Sequence, residues 1–320
     1  MQTIADVASR FAAARSQLDR VIMGQERVKG LALTCIVAGG HMLLEGAPGT
    51  GKTLLALTLS RLFGCRFRRI QFTPDLMPSD LLGANVFNQK SQDFVFRAGP
   101  VFTDVLLADE INRTPPRTQA ALLEAMQENA VTVDGVRYEV SPVFTVFATQ
   151  NPVEFEGTYP LPEAQRDRFL LKINIDFPER ADEARILDAY ASGRRLHDEI
   201  VATVPAVISA DELLAARRTV AGSVRVEPQI IAYILEIVSR TRRDENVQIG
   251  AGPRASLALL EASRAMAALS GRDFITPDDV KSLVPAVLAH RVTLSPEAEM
   301  EGLALEDLLR RIFDQVEVPR

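Results

Sequence analysis

The octapeptide Gly46-Ala47-Pro48-Gly49-Thr50-Gly51-Lys52-Thr53 constrains this chain more than any other feature, because an apolar run (41–45) leads into it and a helical run (54–62) leads out. A strand, a glycine-rich loop and a helix in that order bring successive backbone amides to a helix N-terminus, where they converge on phosphate. The glycines let those amides approach without Cβ obstruction. Lys52 supplies a positive charge for the β- and γ-phosphates, and the Thr53 hydroxyl suits a Mg2+ ligand. The competing reading is a glycine-rich structural turn.

Such a loop belongs in an α/β chain, and the rest of the first half agrees. Apolar runs at 41–45, 67–72, 105–109, 143–149 and 170–175 alternate with amphipathic segments, which predicts five core strands in a largely parallel sheet between helices. The polar stretch 84–98 is too long for an ordinary connection and reads as an inserted hairpin. Asp134-Gly135, flanked by 131–133 and 136–140, tolerates the positive φ of a two-residue hairpin turn, so 131–140 is a second protrusion.

Beyond Pro178 the strand signals stop. Ser209 with Glu212 forms a capping box, Thr276-Pro277 and Ser295-Pro296 each set an N-cap before a proline, and Gly271 closes a helix. Leu259, Ala262, Met266 and Leu269 recur at helical spacing. The expected organisation is therefore a nucleotide-binding core at 1–195 and a small all-α domain at 196–320, with the boundary between Gly193 and Pro205.

The run 105–109 ends in Asp109, and Glu110 follows it. Strand ends face ligands in such sheets. Asp109 suits the water shell of a magnesium ion and Glu110 suits polarising an attacking water, although an acidic pair by itself is also a helix-start signal.

Composition limits the partners. At 320 residues and 47% hydrophobic content, the chain can bury a core domain plus a smaller one. Its 36 basic and 42 acidic side chains leave a net charge of −6, which argues against nucleic acid for the molecule as a whole. Arg66, Arg68 and Arg69 around Phe67 read as the solvated face of a strand. No basic and apolar leader opens the sequence, and no run approaches the roughly 18 apolar residues of a membrane span, so a cytoplasmic protein is expected. Cys35 and Cys65 lack metal-ligand spacing and read as reduced thiols, while His41, His197 and His290 receive no metal role.

Two further features complete a pattern. Gln150-Asn151-Pro152 closes another strand and Arg254 heads a helix in Gly252-Pro253-Arg254-Ala255; with the loop and the acidic pair they resemble the AAA+ ATPases. The finer match is to the MoxR family. Gly24-Gln25, Gly39-Gly40-His41-Met42-Leu43-Leu44-Glu45-Gly46, Gln71-Phe72-Thr73-Pro74-Asp75-Leu76, Gly99-Pro100-Val101-Phe102, Asp109-Glu110-Ile111-Asn112-Arg113 and Leu161-Pro162-Glu163-Ala164-Gln165 look like that family's sequence blocks.

The resemblance implies an AAA+ P-loop core whose Asn151 strand lies between the P-loop and Asp109 strands, followed by an all-α lid folded over the nucleotide. It implies ATP contacts at every position from Gly46 to Thr53, at Leu54, Asp109 and Arg254, and Mg2+ on Thr53 and Asp109. Catalysis would fall to Lys52, Glu110, Asn151 as a sensor amide and Arg168 as a finger reaching a neighbouring subunit's ATP. Arg254 would be a second sensor that couples the lid to phosphate. Ile22, Met23 and Gly24 either border the adenine or are ordinary core and turn. Arg166 departs from the family pattern, which has an apolar residue there, and the trans-acting role is assigned to Arg168.

The implied activity is ATP hydrolysis that remodels, matures or activates partner proteins, often ones with a von Willebrand factor A domain, by a hexameric ring. Two other functions compete. A nucleic-acid or chelatase-type motor is disfavoured by the acidic balance and the lack of an aromatic stacking motif, and a slow nucleotide-dependent switch by Glu110 and Arg168.

Overall fold

The computed structural model describes residues 1–90, 92–151, 158–193 and 203–319. The core runs α1 (Ile4–Val21), α2 (Glu26–Ala38), β1 (Met42–Glu45), α3 (Lys52–Leu62), β2 (Phe67–Gln71), α4 (Pro78–Leu82), β3 (Gly83–Asn88), β4 (Asp93–Ala98), β5 (Val105–Asp109) and α5 (Pro116–Glu128). It continues through β6 (Ala130–Val133), β7 (Val136–Glu139), β8 (Thr145–Gln150), α6 (Glu163–Arg166), β9 (Leu171–Asn174) and α7 (Arg180–Ala191). The lid contains α8 (Ala210–Ser223), α9 (Pro228–Thr241), β10 (Val247–Ile249), α10 (Pro253–Leu269), α11 (Pro277–Leu288), β11 (Thr293–Leu294), α12 (Pro296–Met300) and α13 (Leu305–Asp314).

The five expected strands form one parallel sheet in the order β2-β5-β8-β1-β9, which puts β8 between the P-loop strand and the Asp109 strand. Apolar residues on both faces make this sheet a middle layer. Met42, Leu44, Val105, Leu107 and Phe147 face a core shared with α1, α2 and α3; Leu43, Leu106, Ala108, Val146 and Ala148 face a second core with α5. Burying each of the larger of these side chains stabilises the fold by roughly 1.5–3 kcal/mol.

Strand ends differ from the sequence expectation by a residue or two. The flanking amides of Phe72, Leu170 and Ile175 still bond across the sheet, but Val143 and Phe144 do not extend β8: Phe144 N donates to Ser141 O at 2.9 Å in a turn. Both protrusions are hairpins. β3 pairs with β4 from Gly83 to Ala98, and β6 pairs with β7 around Asp134 and Gly135, whose φ values are 49° and 79°. Phe96 stacks on Tyr138 at 4.0 Å and ties the two hairpins together. At the far end of the first, Phe87 and Phe94 are exposed.

The lid's caps hold as read. Ser209 and Thr276 each complete a capping box, Ser295 accepts from Ala298 N, and Gly271 has φ 75°. The domain boundary expected between Gly193 and Pro205 lies largely outside the described residues, as does His197. α8 and α10 pack on α1 and α2, and α11 packs on β9, so lid and core share one apolar cluster. Among the described residues no helix is long and apolar enough to cross a membrane.

Candidate phosphate-binding site

β1 delivers the chain to the loop, and α3 takes it away from Lys52 with Gly51 as its N-cap. Gly49 and Gly51 have φ values of 84° and 88°, and a Cβ on either would meet nothing within 4 Å. Their role is therefore conformational, and it leaves an open cradle at the helix N-terminus. Gly46 differs: a Cβ there would lie 2.3 Å from Ile175 O, so its glycine is fixed by the close approach of the chain after β9. Lys52 Nζ donates to Gly46 O at 2.7 Å and Ala47 O at 2.8 Å. Burial depresses the Lys52 amine, and the carboxylates of Asp109 and Glu110 pull it back up.

Across the cavity stands the acidic pair, held by one threonine. Thr149 Oγ1 donates to Asp109 Oδ1 at 2.6 Å and accepts from Glu110 N at 2.8 Å. Glu110 has φ 56°, a conformation non-glycine residues rarely adopt, and the Thr149 bond helps to hold it there. Edge strand β2 reaches in from the far side. Arg69 donates twice to Asp109 Oδ2, at 3.1 and 2.6 Å, and Gln71 Nε2 donates to Glu110 Oε2 at 2.5 Å. Arg113 Nε lies 3.0 Å from the same Glu110 oxygen.

Of these, Gly49, Gly51, Lys52, Arg69, Asp109, Glu110 and Thr149 line a cavity of about 480 Å3 together with Thr53, Leu54 and the buried Asn151; Gly46 and Ala47 do not. Ile22, Met23, Pro178, Ile186 and Tyr190 give it an apolar end, whose chemistry suits a purine base. A larger hollow of about 630 Å3 lies between β9, α2 and the lid and contains no P-loop residue. The open cradle, the lysine and the apolar end fit a nucleoside triphosphate. The donor set also fits Mg2+, an ion held through a hydroxyl, a carboxylate, phosphate oxygens and water. Among the described residues no group of three or more His, Cys, Asp or Glu could cage a metal by itself.

The structure thus brings together Lys52, Thr53, Leu54, Asp109, Glu110, Asn151, Ile22 and Met23. Gly24 borders the larger hollow instead, with φ 66° and a Cβ direction blocked by Asp182. Neither Arg168 nor Arg254 lines the cavity. Arg254 faces Asp167, at 3.9 Å, and no lid residue among those described lines the cavity, whose roof is α7. The expectation of a lid folded over the nucleotide in the same chain is corrected accordingly: the apolar faces of α8 and α10 are spent on α1 and α2.

Thr149, Arg69, Gln71 and Tyr190 are the residues the sequence reading missed. Period-two spacing along β2 puts 69 and 71 on one face, which was a usable signal. Arg66 and Arg69 are not a free basic patch, since Arg66 pairs with Asp104 and Arg69 with Asp109. His41 is structural: its Nδ1 accepts from Val146 N at 3.0 Å and its Nε2 donates to Met126 O at 3.2 Å. Burial pushes the Cys65 thiol up to about 12 and raises Cys35 as well, so neither is a nucleophile at neutral pH.

Comparison with known proteins agrees with this geometry. Residues 41–171 match the ATPase family associated with various cellular activities (AAA), and residues 239–312 match the AAA lid domain. The chain is 46% identical to YeaC of Bacillus subtilis over 94% of its own length and 92% of that protein. It is 40% identical to chaperone MoxR1 of Mycobacterium tuberculosis over 95% of its length and 81% of the relative. A crystal structure of a protein from Cytophaga hutchinsonii matches with a TM-score of 0.90 and 36% identity, covering 99% of this chain and 97% of the other.

Proposed function

The chain belongs to the MoxR family of AAA+ ATPases, and from that premise we propose that it hydrolyses ATP with Mg2+ in a ring of subunits and uses the energy to remodel partner proteins. The observation that carries the reading is the cavity itself. An open glycine cradle with Lys52 faces two acidic residues, Asp109 held through its carboxylate and Glu110 through its backbone amide by one threonine.

Lys52 and the loop amides hold the β- and γ-phosphates and neutralise charge that builds during transfer. Thr53 and Asp109 are the residues that would hold Mg2+, which would supply positive charge against the phosphates. Glu110 orients the attacking water and takes up its proton, and Asn151 fixes that water's position by donating or accepting. Arg168 supplies the remaining positive charge from a neighbouring chain, so turnover requires assembly. A hexamer, and clients that carry a von Willebrand factor A domain, are the finer forms of this proposal. The family relationship to a chaperone supports the coarser reading, an assembly that acts on protein clients. Localisation in the cytoplasm is proposed on the same basis.

A binding titration tests the site. A fluorescent ATP analogue should bind wild type more tightly with Mg2+ than with EDTA, and Lys52→Ala should weaken binding by about tenfold or more. Equal binding by wild type and Lys52→Ala would remove the loop from the site.

A further inference from the structure

Arg291 follows α11 in the lid, yet its side chain is only 3% exposed because core backbone closes around it. Nε donates to Asp167 Oδ1 at 2.7 Å, and NH2 donates to Asp167 O at 3.2 Å and Phe169 O at 2.6 Å. NH1 adds Leu170 O at 3.1 Å and, near the end of α11, Val287 O at 2.5 Å. The neighbouring His290 donates from Nε2 to Phe169 O at 2.9 Å. Asp167 and Phe169 flank Arg168 on either side. The guanidinium therefore grips the backbone on both sides of Arg168 without touching Arg168 itself.

Burying a guanidinium is costly, and a pair of apolar residues would join two domains at lower cost. Four bonds from a rigid fork to one short segment add what apolar packing lacks, a fixed register and direction. We infer that Arg291 is a positioning residue for Arg168: it makes the lid and the trans-acting arginine one mechanical unit. Displacement of the lid in one chain then moves the charge presented to its neighbour's ATP. The inference rests on the reading of Arg168 as the trans-acting arginine.

Mixed assemblies test it, because a chain's own site and the arginine it donates can be disabled separately. Chains with Glu110→Gln donate an intact Arg168, and chains with Arg168→Ala keep an intact carboxylate, so the mixture should regain turnover that each lacks alone. Adding Arg291→Met to the Glu110→Gln chain should cut the regained rate about tenfold or more, as small misplacements of a catalytic group do. Adding it to the Arg168→Ala chain should leave the regained rate within about twofold, since that chain's arginine is already gone. Arg291→Lys is run in parallel, because a point charge cannot reproduce the fork and the same asymmetry should appear if the Met chain folds poorly. Melting temperature and nucleotide affinity are measured for every chain. Equal losses in both mixtures, or no loss in either, overturn the inference and leave Arg291 as a structural tie. If the parent chains do not restore each other's turnover, the trans reading of Arg168 fails first and takes the inference with it.

Discussion

Two parts of this molecule end strands or turns in charged residues, and they are built in opposite ways. The cavity is held by groups close to it: Thr149 fixes the Asp109 carboxylate and the Glu110 backbone amide, and Lys52 rests on the carbonyls of its own loop. The Arg168 segment is held from another domain, by Arg291 and His290. A locally built site keeps its geometry when the lid moves, whereas a segment gripped by the lid must follow it. On the proposed function, binding and bond cleavage fall to the first region and communication between chains to the second.

The largest expected effect belongs to the cavity. Glu110→Gln should lower turnover by about 10^2–10^4 while nucleotide still binds, because the water-activating carboxylate is lost and the cradle is not. Retention of most of the wild-type rate would mean that another group activates water. The next effect samples the start of β1 and the lid junction through acid. Burial pushes His41 down to about 4 from 6.5 and lowers His290 in the same direction, and both are neutral in the fold. The unfolded chain therefore takes up protons first as pH falls. For His41 the stability contribution is complete above pH 6.5 and is lost as pH drops toward 4, about 3 kcal/mol across that window. Denaturant midpoints at pH 7.5 and 5 should show the loss, and His290→Gln should remove the junction's share. A flat profile would mean that these histidines are not held neutral.

Thr149→Val should cost about 1–3 kcal/mol of stability and lower turnover about tenfold, since Asp109 loses a donor and the Glu110 amide an acceptor. An unchanged rate would show that β2 and Arg113 suffice to position the pair. The smallest effect is a control on the lid: Ser209→Ala should lower stability by about 1 kcal/mol with no change in turnover beyond about twofold. A larger loss of turnover would couple α8 to the cavity.

What the sequence made legible was chemistry carried by neighbours along the chain. The P-loop, the acidic end of β5, the Asp134-Gly135 turn and the caps at Ser209 and Thr276 are each written within a few residues, and the structure has them. Contacts set by tertiary register were not legible. Arg69 reads as a surface charge until β2 is paired with β5, when it meets Asp109 forty positions away. Arg254 carries no mark that would send it to Asp167, and Arg291 none that would bury it in the core. The lid's position follows from which apolar faces α1 and α2 leave open, a property of the packed core and not of any motif.

The most direct test of the central claim is the ATPase rate as a function of protein concentration for wild type and Arg168→Ala, with particle size followed by light scattering in ATP. The account predicts a rate per chain that rises as assemblies form, and an Arg168→Ala chain that binds nucleotide and assembles but turns over at least about 10^2-fold more slowly. A rate per chain that is independent of concentration and unaffected by Arg168→Ala would contradict it, leaving a nucleotide site complete within one chain.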